Sequence, residues 1–257
     1  MASIGMRRYH GRGMKRIDLE HLDAERREVV RLLGLVSAAG LLGCSGGGAR
    51  AASESPTTPN PGGSSCVVRP QQTEGPFFVD ERLNRSDLRT DPVTGSARPG
   101  VPLHIDFHVS RTSAGICGPL VGALVDVWQC DASGAYSDVG GAAGTKFLRG
   151  FQVTDDVGRA QFSTIYPGWY SGRAVHVHFK IRSTPSAVTR FEFTSQLYFD
   201  EAVTDAVHAQ PPYNSRGRRD TTNQRDGVFA NGGPQLLLAV TPDGPGYAGT
   251  FDIALQV

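Results

Sequence analysis

The residues with the clearest chemical potential lie in Y-S-G-R-A-V-H-V-H-F-K, Tyr170 to Lys180. In an extended chain residues i and i+2 share a face. His176 and His178 therefore present two imidazoles side by side, while Val177 and Phe179 turn the other way. Such a pair is sound metal-ligand geometry. It is also what a solvated polar sheet face carries, and alone it names no metal.

Other ligands decide the chemistry. His104 and His108 would complete a four-histidine copper or zinc oxidoreductase site with the pair. No carboxylate adjoins the pair, so a two-histidine, one-carboxylate centre is not suggested locally. Tyrosine is near twice: Tyr170 in P-G-W-Y-S-G-R and Tyr136 in W-Q-C-D-A-S-G-A-Y-S-D. A free phenol ionises only near pH 10. A hard trivalent cation holds it as phenolate at neutral pH, as metals ionise bound water or thiols. Two tyrosines with two histidines favour Fe(III) over zinc.

These side chains need rigid elements to hold them. V-P-L-H-I-D-F-H-V-S, Val101 to Ser110, alternates strictly: Leu103, Ile105, Phe107 and Val109 against His104, Asp106 and His108. That is the period of a half-buried strand. Further strands are expected over 123–130, 147–154, 160–168, 175–181, 191–199 and 249–257. Only E-A-V-T-D-A-V-H-A, Glu201 to Ala209, reads as a short helix. With 32 Gly and 16 Pro, the domain reads as a turn-rich all-β fold. The expected form is an antiparallel β-sandwich, immunoglobulin- or prealbumin-like, with long loops and little helix. A formal net charge of +1 leaves no electrostatic footprint for nucleic acid.

The first 65 residues are set apart from the fold. A basic stretch, E-R-R-E-V-V-R, precedes L-L-G-L-V-S-A-A-G-L-L-G-C, Leu32 to Cys44. The apolar run is too short for a comfortable membrane span. Residues 1–44 resemble a bacterial lipoprotein signal, with Cys44 as the acylated residue and Arg26-Arg27 as a twin-arginine element. Residues 45–65 lack the apolar residues needed to offset the cost of ordering the chain and read as a flexible Gly/Ser/Pro tether. The folded domain is expected over 66–257, exported from a bacterial cytoplasm and lipid-anchored in the envelope or secreted, touching membrane only through Cys44. An oxidising compartment allows one disulfide. Cys66–Cys117 is the expected pair, since Cys130 lies inside an apolar run.

Several motifs in order carry a family resemblance. They are T-E-G-P-F-F-V-D (Thr73–Asp80), V-D-V-W-Q-C-D-A-S-G-A-Y-S (Val125–Ser137), F-L-R-G-F-Q-V-T-D-D-V-G (Phe147–Gly158), F-S-T-I-Y-P-G-W-Y-S-G-R-A-V-H-V-H (Phe162–His178) and S-Q-L-Y-F-D (Ser195–Asp200). The domain resembles the intradiol ring-cleavage dioxygenases, relatives of the catechol and protocatechuate dioxygenases, across nearly its whole length. The resemblance implies Tyr136, Tyr170, His176 and His178 as ligands of Fe(III), with Arg173 and Gln196 beside the substrate. It implies a catechol-type aromatic and O2 as reactants, a displaceable Tyr170, and a cis,cis-muconate-type product. Phe77 and Phe78 stand where many relatives carry tyrosine after Gly-Pro. The alternative readings are a non-catalytic exported sandwich that binds aromatics or a surface partner, and the histidine-rich copper or zinc enzyme above.

Overall fold

The structure, a computed structural model, describes residues 66–257 except 114 and 115. The expected signal segment with Cys44 and the arginine pair, and the expected tether, lie outside the described residues. Among the described residues no helix is long and apolar enough to cross a membrane.

Among the described residues nine strands and one α-helix follow in order: β1 (Pro102–Ser113), β2 (Ile116–Pro119), β3 (Leu124–Trp128), β4 (Arg149–Val153), β5 (Arg159–Ile165), β6 (His176–Arg182), β7 (Glu192–Tyr198), α1 (Glu201–His208), β8 (Val240–Asp243) and β9 (Gly246–Gln256). One sheet runs β2-β1-β9-β8, with β5 also paired to β1; the other runs β4-β3-β6-β7. Their apolar faces share one core. Phe107 and Phe251 from the first sheet meet Phe179 from the second, with ring centroids 5.4 and 5.6 Å apart. The alternation of β1 holds: Leu103, Ile105, Phe107 and Val109 are buried, and His104 faces outward.

Wholly antiparallel pairing does not hold. β1 and β9 run parallel, from Leu103 opposite Tyr247 to Thr112 opposite Gln256. A hairpin forces antiparallel pairing, but β9 reaches β1 through a long connection and is free to run either way. β2 and β8 went unread in the sequence because each is four residues long and lies at a sheet edge. β8 carries Pro242, which only an edge strand tolerates.

The helix forms where expected. Asp200 caps it, its Oδ1 accepting from the N–H groups of Ala202 (2.8 Å) and Val203 (3.2 Å). Cys66 pairs with Cys117, and Cys130 is free and buried.

Candidate metal centre

Three pieces of chain converge on one end of the β3–β6 pair. β6 lies inside its sheet, so register is fixed on both edges, with Trp128 opposite His178 and Tyr198 opposite His176. His176 and His178 share the face turned away from the apolar core. That face is covered, leaving His176 2% and His178 1% exposed. The cover is the segment around Thr73–Asp80. Gln196 Nε2 donates to the Thr73 carbonyl (2.9 Å), Arg149 Nη1 to the Phe77 carbonyl (3.2 Å) and Arg182 Nη1 to Asp80 Oδ2 (3.0 Å). Lys180, next on the same face, pairs with Glu74 and lies 4.0 Å from the Phe78 ring centroid.

Each tyrosine is delivered by a tight turn. After β3, Asp131 Oδ1 accepts from Ser133 N (2.9 Å) and Ala135 N (3.1 Å), winding the chain so that Tyr136 turns back toward β6. Tyr170 sits in the loop between β5 and β6. Gly168 in that loop is obligatory, because a Cβ there would lie 2.4 Å from the Asp131 carbonyl oxygen. Gly172, at φ +84°, then closes the turn that leads to Arg173.

The polar atoms meet at His176 Nε2. Tyr136 Oη lies 3.4 Å from it, Tyr170 Oη 3.2 Å and His178 Nε2 3.0 Å. His176 Nδ1 is 2.6 Å from the Ala174 carbonyl oxygen and must donate to it, so Nε2 carries a lone pair. One in-plane lone pair cannot accept from three donors. His178 Nδ1 is buried without a partner, so neither tautomer of that ring satisfies both nitrogens. A cation among the four groups removes this conflict, and the donor set, two phenols and two imidazoles, fits a hard trivalent ion. Burial, helped by Arg173, pushes His176 down to about 3, and burial with His176 pushes His178 well below its ordinary value. Both rings are therefore neutral and ready to ligate. Burial raises both phenols, Tyr136 strongly, so ionising them requires a positive charge between them.

Arg173 and Gln196 also arrive here. Arg173 Nη2 donates to Gln196 Oε1, and its Nε donates to Asp226 Oδ2 at 2.9 Å. Asp226 was not foreseen. It is 2% exposed, also accepts from Ala174 N at 2.8 Å, and so ties Arg173 to the start of β6. Its only sequence signal is a D-G turn, Asp226-Gly227, more than fifty residues from its partner. His104 and His108 do not join the centre. They lie on the outer face of the other sheet beside Asp243 (4.0 Å) and Asp252 (3.2 Å). The two histidine pairs thus belong to different sheets, which rules out a four-histidine site, and among the described residues no group of three His, Cys, Asp or Glu side chains is arranged to hold a metal ion.

Known proteins resemble this chain in sequence and in fold. Residues 73–211, more than half the chain, match the sequence profile of a family described as "Dioxygenase". The chain is 44% identical over 149 residues to catechol 1,2-dioxygenase of Candida albicans, covering 55% of this chain and 47% of that protein. It thus spans about half the length of that curated relative. Among solved structures, an intradiol ring-cleavage dioxygenase from Tetranychus urticae superposes with a TM-score of 0.65 at 28% identity, covering 74% of this chain and 95% of that one. The dioxygenase domain of a dioxygenase carbohydrate-binding protein fusion from Streptomyces sp. SirexAA-E gives 0.53 at 34% identity, covering 74% and 99%.

Proposed function

This chain belongs to the intradiol ring-cleavage dioxygenase family, and from that premise we propose that it opens a catechol-type aromatic between its two hydroxyl-bearing carbons. Both atoms of O2 enter the cis,cis-muconate-type product, so no external reductant is consumed. The carrying observation is the crowding of Tyr136 Oη, Tyr170 Oη and His178 Nε2 around His176 Nε2. Tyr136, Tyr170, His176 and His178 would hold Fe(III). When bound, ferric iron supplies the Lewis acidity that ionises a catechol and makes its ring electron-rich toward O2.

The chain's own residues do the rest. His176 stays oriented through Nδ1–H on the Ala174 carbonyl. Tyr136 is buried and stacked on Phe77, centroids 4.4 Å apart, so it stays in place. Tyr170 sits on a surface turn and is only partly buried. With iron held there, its phenolate oxygen, less confined than that of Tyr136, would be the one to accept a catechol proton. Arg173 uses Nε and Nη2 on Asp226 and Gln196, and its Nη1 makes no hydrogen bond among the described residues. That N–H group is preorganised to stabilise negative charge developing on the substrate.

Export and lipid anchoring at Cys44 belong to the same proposal, and place the enzyme where aromatics arrive from outside the cell. We read the two facing sheets likewise as a sandwich of the immunoglobulin or prealbumin type. The test is ferric loading of purified protein followed by oxygen uptake with catechol. A burgundy-red tyrosinate band and stoichiometric uptake are expected. A colourless protein after loading overturns the metal assignment.

A further inference from the structure

A cavity of about 500 Å³ opens directly against the tyrosine pair. Tyr136, Tyr170 and Phe77 bound it on one side, and Val139, Ala142 and Phe147 supply apolar wall. Pockets of roughly 300–1,000 Å³ suit ligands well beyond a single ring, so a bare dihydroxybenzene leaves most of this space empty.

Arg98 also lines the cavity, its guanidinium stacked 3.6 Å above the centroid of Phe147. The stacking fixes the plane of the group but spends none of its five N–H donors. Nε is buried with no partner. The one protein contact is long: Nη1 to Asp131 Oδ2 at 3.5 Å. Asp131, which also lines the cavity, has its Oδ1 held by Ser133 N, Ser133 Oγ and Ala135 N at 2.9, 2.7 and 3.1 Å and meets Arg98 only through that single long Oδ2 contact, so the other guanidinium N–H groups are left for a second anion. An apolar passage thus leads from the tyrosines to an oriented cation with unused donors.

We propose that this cavity is a substituent pocket, which takes a catechol bearing an apolar arm that ends in an anionic group. The arm lies along Val139, Ala142 and Phe147, and the anion is received by Arg98. Phe77 makes the passage possible. It packs on Tyr136 and stands edge-on to Tyr170, with centroids 6.0 Å apart, and so offers a ring wall with no hydroxyl at the pocket mouth. This inference rests on the reading of Tyr136 and Tyr170 as iron ligands.

The experiment is calorimetric titration of ferric-loaded protein without O2. The probes are catechol, 3-(3,4-dihydroxyphenyl)propanoate and the methyl ester of that acid. The acid is expected to bind at least about tenfold tighter than catechol, with the ester between them. Gly141→Trp is the blocking variant. Gly141 lines the cavity, its φ is not positive, and a Cβ there meets nothing within 4 Å, so the fold tolerates a side chain. It should erase the preference of acid over catechol. Arg98→Gln should erase the advantage of acid over ester while keeping that of ester over catechol. If catechol itself does not bind, the intradiol reading falls and takes the pocket with it. If catechol binds but the acid binds no tighter, or both variants leave the preference intact, the pocket alone is overturned.

Discussion

Strands β1 and β6 both alternate histidine with apolar residues, and their histidines end in opposite circumstances. His104 points out from β1 into a depression of about 870 Å³ and His108 lies further along the same face, with side chains 52% and 42% exposed. His176 and His178 point out from β6 and are almost wholly buried. Alternation decides only which face a side chain takes. What covers that face decides its chemistry. Over β1 the cover is water, so each imidazole settles beside a carboxylate, where solvent screens the interaction. Over β6 the cover is the Thr73–Asp80 segment and two tyrosine-bearing turns, which dry the site and bring in phenols that water would otherwise keep apart.

The largest test breaks the β6 side. His178→Ala should abolish the tyrosinate colour after ferric loading and weaken iron binding by more than the roughly 100-fold that loss of an orienting neighbour costs. Metal analysis after gel filtration reads it. Retained iron and an unchanged visible band would remove His178 from the centre and leave β6 no different in kind from β1.

A second test sharpens the role of the covering turns. Asp226→Ala should lower kcat about 100-fold, the cost of a misplaced catalytic group, while ferric loading and colour persist. Loss of iron instead would make Asp226 a structural support of the ligands. Asp226 also carries a pH signature. Burial pushes its carboxyl up, but the Ala174 N–H, then Arg173 and the Val228 N–H, outweigh this and hold it below its ordinary value. A carboxyl depressed in the fold gives stability fully present above its unfolded value of about 3.9 and lost as pH falls through the folded one. Melting temperatures of metal-free protein between about pH 7 and pH 3 should therefore drop less steeply for Asp226→Asn than for wild type. Parallel curves would show that its charge contributes nothing to the fold.

The same contrast explains what could be read ahead of the structure. The strands bearing the proposed ligands were legible because strict alternation and β-branched or aromatic residues are local properties. The four proposed ligands and Arg173 could be named from the sequence because they lie in contiguous motifs, and the structure brings them together. The cover was not. Gly75 lies under the His178 ring and Phe77 stacks on Tyr136, pairings across many tens of residues that no period encodes. Asp226 stayed hidden for that reason. The parallel β1–β9 pair was missed because strand direction depends on the path of a long connection. The His104–His108 alternative was drawn from residue type alone, and sheet assignment dissolves it.

A third test loosens the cover without touching a ligand. Lys180 is buried and paired with Glu74 and Glu192, the latter at 3.2 Å. Lys180→Met keeps the stem against Phe78 and removes the charge that holds the covering segment. Its carboxylate partners are partly exposed, so stability should fall by about 1 kcal/mol, with iron retained and turnover reduced severalfold. A loss of turnover with no change in melting would mean that Lys180 acts on the reaction rather than through the cover.

The smallest effect is expected at His108, and its smallness is the point. His108 Nδ1 lies 3.2 Å from Asp252 Oδ1 and Nε2 3.7 Å from Asp106 Oδ2, a constellation that on paper resembles the start of a metal or acid–base site. Asp106, however, is already gripped by Arg159 through Nε and Nη2, and Asp252 is 41% exposed. Removing the imidazole strands no buried charge: Asp106 keeps Arg159 and Asp252 keeps water. Exposed pairs of this kind contribute about 0–1 kcal/mol. His108→Ala should therefore shift the melting temperature by no more than roughly 2–4 °C for a domain of this size, and leave iron content, colour and turnover unchanged. A larger shift, or any loss of colour, would show that the outer face of β1 reaches the metal centre through the shared core. The contrast between a solvated face and a covered one would then no longer account for which histidines do chemistry.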